Sequence, residues 1–199
     1  MTSEDIYFIR NIEFEYPELL ISSCDNENEE FELKINQKFT SDESGVVWDA
    51  AILTAKYLEK QQKDNRIQLQ NMNIVELGSG TGFLGLWLAA FGANVAITDL
   101  STHLELARKN LETNLLSFPD LNKSVRITDF DWNDKEKFVS SSFLDWCPLK
   151  DIHFFILADC LYYEQVNFIF SIINIVYTQI FTIFFTILNA LFYIIFNRV

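Results

Sequence analysis

Residues 73 to 91 read NIVELGSGTGFLGLWLAAF, two apolar runs joined by a turn that holds three glycines. The first run, 73–77, has the length and β-branched content of a buried strand, and the second, 82–91, has the length of a buried helix. A further apolar run, 94–98, follows at once and ends at Asp99. Strand, helix and strand in this order predict a βαβ unit with parallel strands.

The same alternation continues on the carboxyl side of this unit. A helix is predicted from Leu104 onward, with Thr102 and Glu105 as its capping box. Strands are predicted at 125–130 and at 152–158. We therefore expect an α/β fold with a Rossmann-like parallel sheet, whose ligand crevice lies at the carboxyl ends of the strands.

The residues before this unit form two further elements. Apolar residues at helical spacing predict a helix over 48–59, followed by a surface loop at 61–70. Two apolar–polar stretches, 6–14 and 31–35, predict a small β-rich extension that packs against the main domain. The predicted organisation is an N-terminal β-rich extension at 1–44, the main domain at 45–165 and an atypical apolar tail at 166–199.

The three glycines and one carboxylate indicate a nucleoside site. Gly78, Gly80 and Gly82 carry no Cβ atom, so the backbone can turn sharply there and approach a ligand closely. The helix that follows offers unpaired N–H groups. Asp99 ends the next strand, where its carboxylate can accept both hydrogen bonds of a ribose diol. Strand, glycine turn, helix, strand and acid in this order predict a nucleoside cofactor.

Glu76 decides which nucleoside is expected. The spacing Gly80-x-Gly82-x-x-Gly85 fits a dinucleotide such as NAD, but a carboxylate two residues before the first glycine would repel a pyrophosphate. The same carboxylate suits the ammonium and sulfonium charges of S-adenosylmethionine, which is the cofactor we predict. Two alternatives stay open: Glu76 only accepts hydrogen bonds from the loop, or the glycines are ordinary turn residues.

Two tryptophans are further candidates for this pocket. Trp132 follows the third strand of the unit, and its ring can stack on an adenine; ordinary core packing is the alternative. Trp48 can close the methionine side of the pocket, or it anchors the helix that it precedes. Spacing does not separate these interpretations.

Five blocks of sequence together resemble the seven-β-strand protein lysine methyltransferases. The blocks are Gly45 to Ala51, Glu76 to Gly82, Thr98 to Leu100, Asp131-Trp132 and Ala158 to Tyr163. Over residues 18–166 the chain is most similar to the branch of valosin-containing-protein lysine methyltransferases. The resemblance implies a Rossmann-like seven-strand methyltransferase fold in a monomeric cytosolic enzyme. It also implies a protein substrate, a chaperone-type AAA ATPase.

The resemblance assigns site residues as well. It implies a cofactor pocket lined by Trp48, Glu76, Gly78, Asp99 and Trp132, and we also expect Gly80 and Ala158 to bind the cofactor. Asp159 and Tyr162 would form the family's Asp-x-x-Tyr/Phe motif near the target lysine, as the catalytic pair. Asp159 would orient a neutral amine for direct displacement, with no metal and no covalent intermediate. A strand-end cap and a buried ring are the structural alternatives for these two residues.

Composition and single residues limit the kinds of partner, metal site and compartment that are expected. The formal net charge of −13 argues against nonspecific binding to nucleic acid, which needs clustered Lys and Arg. Cys24, Cys147 and Cys160 are widely spaced and predict reduced thiols, not a metal site. The amino terminus lacks the pattern of a secretory signal, which favours the cytoplasm. His103 and His153 are expected at the surface and on a strand, not as catalytic bases.

The tail departs from the resembled family. Residues 166–196 are dominated by Ile, Phe, Leu and Tyr and are long enough to span a bilayer, although Asn167, Asn174, Gln179 and Asn189 interrupt the run. Three explanations are open: a membrane anchor, a gene model that ends in noncoding sequence, or helix and strand that complete the sheet differently. We favour the second, so the seven-strand fold is expected to be incomplete at the C-terminus.

Three functional classes follow from these patterns. A protein lysine methyltransferase is the leading class. A catalytically inactive, membrane-tethered relative that keeps the cofactor pocket is the second, and a small-molecule or nucleic-acid methyltransferase is the third. The fourth strand of the main domain is followed by Asp159-Cys160-Leu161-Tyr162 and not by an Asn-Pro-Pro-Tyr-type motif, which disfavours transfer to the amino groups of bases.

Overall fold

The computed structural model describes residues 7–21, 31–39, 43–131, 142–160, 180–187 and 190–197. The strands are β1 (Tyr7–Glu13), β2 (Glu32–Lys38), β3 (Asn73–Leu77), β4 (Asn94–Asp99), β5 (Val125–Asp129), β6 (Phe154–Ala158), β7 (Ile180–Ile187) and β8 (Ala190–Asn197). The α-helices are α1 (Asp49–Lys63), α2 (Phe83–Ala90), α3 (Leu104–Asn114), α4 (Leu121–Ser124) and α5 (Ser142–Trp146). Six strands form one sheet in the order β5-β4-β3-β6-β8-β7, and β1 pairs with β2 separately.

Strands β3 to β6 form the parallel part of the large sheet. β3 pairs with β4 on one side and with β6 on the other, and β4 pairs with β5. The chain thus builds outward from β3 to β5 and then returns to the far side of β3, so the strand order reverses beside the carboxyl end of β3. A reversal of this kind leaves a crevice at that edge of the sheet. The predicted Rossmann-like α/β fold is confirmed.

Helix α2 lies at the centre of the hydrophobic core. All eight of its residues are buried, because the sheet covers one side and the N-terminal segment covers the other. The Trp87 ring stacks on Phe14 with 3.9 Å between the ring centroids, and its side chain is fully buried. Burial of a large aromatic side chain contributes about 3 kcal/mol or more to stability. The helix that follows the glycine turn is therefore held firmly in place.

The N-terminal extension, predicted to be β-rich, contains the antiparallel pair β1 and β2, called the N-terminal hairpin below. β1 and β2 run antiparallel, with Phe8 opposite Gln37 and Ile12 opposite Leu33. The segment after β1 is fixed to α1, because the buried Glu59 carboxylate accepts hydrogen bonds from the backbone N–H groups of Glu15 and Tyr16 at 2.7 and 2.8 Å. Leu33, Ile35 and Phe14 join the core cluster around α2.

Helix α1 is longer than predicted. It continues to Lys63, so the loop expected to begin at residue 61 begins after the helix. Polar side chains such as Glu, Lys and Gln are good helix formers, and a polar run therefore does not end a helix. The helix ends where Asn65 adopts φ 55° and the N–H of Arg66 donates to the carbonyl of Gln61 at 2.9 Å. This is a Schellman-type end, in which a left-handed residue stops the helix.

The capping box predicted for α3 is wrong. His103, not Thr102, occupies the N-cap position, and no side chain makes a capping hydrogen bond there. The turn before α3 is instead organised by Asp99, whose carboxylate accepts from the Leu100 N–H at 2.7 Å. A hydrogen bond to the neighbouring Asp99 thus orders this turn in place of the predicted cap.

The apolar tail contributes two strands to the edge of the large sheet. β8 runs antiparallel to β6, with Ala158 opposite Phe192, and β7 runs antiparallel to β8. This pairing is the one expected if the tail completes the sheet in a different manner. In the described ranges, no helix is both long and apolar enough to cross a membrane.

Candidate functional site

The turn after β3 has a backbone that requires glycine. Gly78, Gly80 and Gly82 have φ values of 68°, 51° and 74°, in the left-handed region that other residues rarely adopt. The turn is closed by hydrogen bonds from the Gly82 N–H to the Ser79 carbonyl at 2.8 Å and from the Ser79 N–H to the Thr98 carbonyl at 3.1 Å. The predicted glycine turn therefore stands at the carboxyl end of β3, with α2 starting directly after it.

Gly85 is the third glycine of the dinucleotide-like spacing, and helix packing explains it. A Cβ atom at this position would lie 2.5 Å from Ile97 Cγ1 and 2.6 Å from Glu76 Oε2. Real Cβ contacts are never so short, so only glycine lets α2 pack this closely against β3 and β4. Gly85 is thus explained by contact between helix and sheet, and it does not by itself indicate a pyrophosphate.

Glu76 lies beneath the first turn of α2. Its side chain is 4% exposed, and Oε2 accepts a hydrogen bond from the Gly85 N–H at 3.0 Å. Burial and the nearby Asp99 raise the pKa of this carboxyl to about 8, against the effect of that hydrogen bond. Glu76 does accept a backbone hydrogen bond, as the alternative held, although from the helix and not from the loop. Its contact with a cationic ligand stays a prediction.

Asp99 joins the glycine turn to β4. Its Oδ2 accepts from the Gly80 N–H at 2.7 Å, and its Oδ1 accepts from the Leu100 N–H at the same distance. His103 Nδ1 lies 3.0 Å from Oδ1. The carboxylate therefore stands where the ribose of a nucleoside was expected, beside the turn. His103 was predicted to be a surface residue; its position four residues after Asp99, at the start of a helix, is the signal that could have identified this contact.

Ser79 is a residue of the glycine turn that sequence reasoning did not single out. Its hydroxyl is buried inside the turn and has no hydrogen-bond partner within the described part of the protein. An unsatisfied buried hydroxyl costs roughly 1–3 kcal/mol, so this group is a local cost within the turn. No periodicity marks a single serine between two glycines, which is why only the structure reveals it.

Asp159 lies at the end of β6, across from the glycine turn. Its φ is 58°, a left-handed conformation that Asp and Asn tolerate better than most residues, and its side chain is half-buried. The adjacent Cys160 sulfur lies 3.3 Å from the Leu77 carbonyl oxygen and 3.2 Å from that of Ala158. The thiol thus ties the ends of β3 and β6 together. Burial, with the carboxylates of Asp99 and Glu76 nearby, raises the pKa of Cys160, which keeps it a neutral thiol.

The segment before α1 covers the glycine turn. Ser44 lies so close that a Cβ on Gly80 would stand 3.1 Å from its carbonyl oxygen. The neighbouring Val47 is held by the extension, because its N–H donates to Gln37 Oε1 at 2.8 Å and its carbonyl accepts from Arg10 Nη1 at 3.3 Å. Trp48 follows at the N-cap of α1 and is 44% exposed. Its role in the pocket stays a prediction.

The structure thus brings most of the predicted site residues to one edge of the sheet. Glu76, Gly78, Gly80, Asp99, Ala158 and Asp159 all lie at the carboxyl ends of β3, β4 and β6. Trp132 and Tyr162 lie outside the described residues, and their roles stay predictions. Across the described ranges, no three metal-ligating side chains come together. His153 lies at the opposite edge of the sheet, where its Nδ1 accepts from the Asn73 N–H at 2.9 Å.

Comparisons with known proteins found similar sequences. A family model described as "Lysine methyltransferase" matches residues 27–186. The chain is 31% identical over 122 residues to protein N-lysine methyltransferase METTL21A of Danio rerio, covering 61% of this chain and 50% of that protein. It is 33% identical over 110 residues to EEF1A lysine methyltransferase 3 of Xenopus tropicalis, covering 54% of this chain and 46% of that protein. The chain therefore spans about half the length of these curated relatives.

The fold is also similar to that of a solved structure. A putative SAM-dependent methyltransferase from Streptococcus mutans superposes with a TM-score of 0.50 over 82% of this chain and 53% of that chain. The two sequences are 11% identical, so this likeness concerns the fold alone.

Proposed function

Because the chain belongs to the lysine methyltransferase family, we propose that it transfers a methyl group from S-adenosylmethionine to the side-chain amine of a lysine in a protein acceptor. The observation that carries this proposal is the arrangement of carboxylates at one sheet edge. Glu76 and Asp99 lie on either side of the glycine turn, and Asp159 stands at the end of the neighbouring strand. We further propose that the enzyme is monomeric and cytoplasmic.

The residues of the turn fit this cofactor. Glycines with positive φ let a ligand approach the backbone, and among the residues that the structure describes the buried Ser79 hydroxyl has no hydrogen-bond partner. The buried Glu76 carboxyl has a raised pKa, and a cation placed near it would favour its charged form. Asp99 is in position to accept the ribose hydroxyl groups. When bound, the cofactor supplies a methyl group on a positively charged sulfur.

In the proposed reaction, Asp159 positions the acceptor amine. A lysine amine with a reference pKa of about 10.4 must release its proton to solvent before it attacks, which costs roughly 4–5 kcal/mol at neutral pH. Partial burial of the amine and a nearby positive charge both lower that cost. The amine nitrogen then bonds to the methyl carbon while the bond from that carbon to the sulfonium sulfur breaks, and the sulfur compound leaves as a neutral thioether. Asp159 accepts a hydrogen bond from the neutral amine and aligns its lone pair, and positioning of this kind supplies most of the rate. Tyr162 is proposed to line the same lysine channel, with Trp132 on the adenine.

Binding of S-adenosylmethionine is expected to displace a proton from Glu76. The pKa of about 8 leaves this carboxyl mostly protonated at neutral pH. A bound cation lowers that pKa, so the proton leaves as the complex forms. Calorimetry near pH 7 in buffers of different ionisation enthalpy counts the protons, and we expect up to about one per site. Glu76→Gln is the matched control; the same proton release in that variant would contradict the role given to Glu76.

The acceptor is tested with labelled cofactor. We expect the purified full chain to transfer a radioactive methyl group from S-adenosylmethionine to the protein fraction of a cell lysate, and mass spectrometry to find the label on a lysine. We propose a chaperone-type AAA ATPase as the acceptor, so the purified ATPase should accept label by itself. Label in the nucleic-acid or small-molecule fraction would overturn the proposal. Cofactor binding without any transfer would identify a catalytically inactive relative.

A further inference from the structure

Two asparagines of α3 hold the free edge of β2. The side-chain amide of Asn114 accepts from the Lys34 N–H and donates to the Lys34 carbonyl, both at 2.9 Å. One turn earlier, the amide of Asn110 accepts from the Asn36 N–H at 2.7 Å and donates to the Asn36 carbonyl at 3.0 Å. Both side chains are buried. They satisfy the backbone groups that would otherwise pair with another strand.

The two amides differ in one further contact. Asn110 Nδ2 also donates to the carbonyl of Thr81 at 2.9 Å, and Thr81 lies within the glycine turn. Asn114 Nδ2 donates instead to the carbonyl of Asn110, on its own helix, at 2.8 Å. Asn110 therefore contacts the N-terminal hairpin and the glycine turn at the same time, whereas Asn114 contacts the hairpin without reaching the turn.

The surroundings make this link rigid. The Asn36 side chain donates to Asn110 Oδ1 at 3.0 Å and to Thr113 Oγ1 at 2.9 Å, so the amide of Asn110 is held from two sides. Asn110 has no exposed surface, and Thr81 is buried as well. In such a dry setting, removal of the amide would leave the Thr81 carbonyl without this donor, at a cost in free energy.

We propose that Asn110 is a positioning residue for the cofactor turn. By holding the Thr81 carbonyl, it fixes the glycine turn relative to α3 and to Asn36 of β2, so the affinity for cofactor depends on this one contact and not on the docking of the hairpin in general. The statement about affinity rests on the proposed function; the statement about the turn does not.

Asn110→Ala and Asn114→Ala form a matched pair for the test. Both remove a buried amide of α3 that bonds to the backbone of β2, so both should lower the melting temperature. Only Asn110→Ala releases the turn. In calorimetry with S-adenosylmethionine, we expect Asn110→Ala to raise the Kd at least about 10-fold and Asn114→Ala to leave it within about 2-fold. Equal changes in the two variants would overturn the proposal.

Hydrogen exchange keeps the proposal testable if Asn110→Ala does not fold. Linkage is reciprocal, so cofactor binding to the unaltered protein should slow exchange of the Asn36 N–H in β2. Unchanged exchange at Asn36 in the saturated complex would overturn the coupling. If the unaltered protein binds no cofactor, the proposed function fails, but the link is still tested without ligand. Exchange of the Gly82 N–H should then be faster in Asn110→Ala than in Asn114→Ala, and equal rates would reject the link.

Discussion

Replacement of Asp99 by alanine is expected to weaken S-adenosylmethionine binding by at least about 100-fold. The carboxylate holds the N–H groups of Gly80 and Leu100, and it is the proposed acceptor for the ribose diol. Hydrogen bonds to a charged group contribute about 1.5–3 kcal/mol each, so loss of the two proposed bonds from the ribose hydroxyls accounts for a roughly 100-fold weaker affinity. Calorimetry with the purified variant measures the change in Kd.

Asp129→Ala is the control for this experiment. Asp129 ends β5 directly opposite Asp99 in the register of the sheet, and its side chain is exposed. The control removes the same charge from the same edge of the sheet, and it should bind cofactor within about 2-fold of the unaltered chain. If the two variants bind equally well, Asp99 does not contact the ligand, and the proposed orientation of the nucleoside is wrong.

Asp159→Asn is expected to keep cofactor affinity and to lower the rate of methyl transfer at least about 100-fold. Asparagine tolerates the left-handed φ of 58°, so the substitution removes the carboxylate without adding backbone strain. An amide in its place cannot orient the amine with the same charge-assisted hydrogen bond. Single-turnover transfer of labelled methyl, with calorimetry on the same sample, separates the rate of transfer from the affinity.

Asp151→Asn serves as the comparison for Asp159. Asp151 precedes β6 at the opposite edge of the sheet and is exposed, so its charge should not affect the reaction. Asp159→Ala is expected to lose transfer as well, with some loss of stability because alanine adopts positive φ poorly. Full activity in Asp159→Asn would remove this residue from the mechanism.

The strands and the glycine turn could be predicted because their signals are local. The bounds predicted for β3 agree with the structure, since an apolar run between a polar loop and a glycine turn leaves little freedom. The placement of Glu76, Asp99 and Asp159 at one edge also followed from the sequence, because parallel strands end on the same side.

The contacts that could not be predicted depend on tertiary packing. Thr102 and Glu105 have the spacing of a capping box, yet the turn is ordered by the carboxylate of Asp99, which also accepts a hydrogen bond from the distant Gly80 N–H. Ser79 and Asn110 carry no periodic signal. Asn110 bonds to Thr81, which is distant in sequence, and the Ser79 hydroxyl has no hydrogen-bond partner within the described residues. The pairing of β8 with β6 likewise depends on which strand edge is available, which an apolar run does not specify.

The aromatic stack of Phe14 on Trp87 has a consequence for how the molecule melts. Phe14, Leu33 and Ile35 belong to the extension, yet they share one hydrophobic cluster with α2 and β3 of the main domain. The predicted boundary after residue 44 therefore separates two regions of sequence but passes through a single interior. Extension and main domain should denature as one cooperative unit. A chain shortened to the main domain would expose a large apolar surface where the first strands had packed.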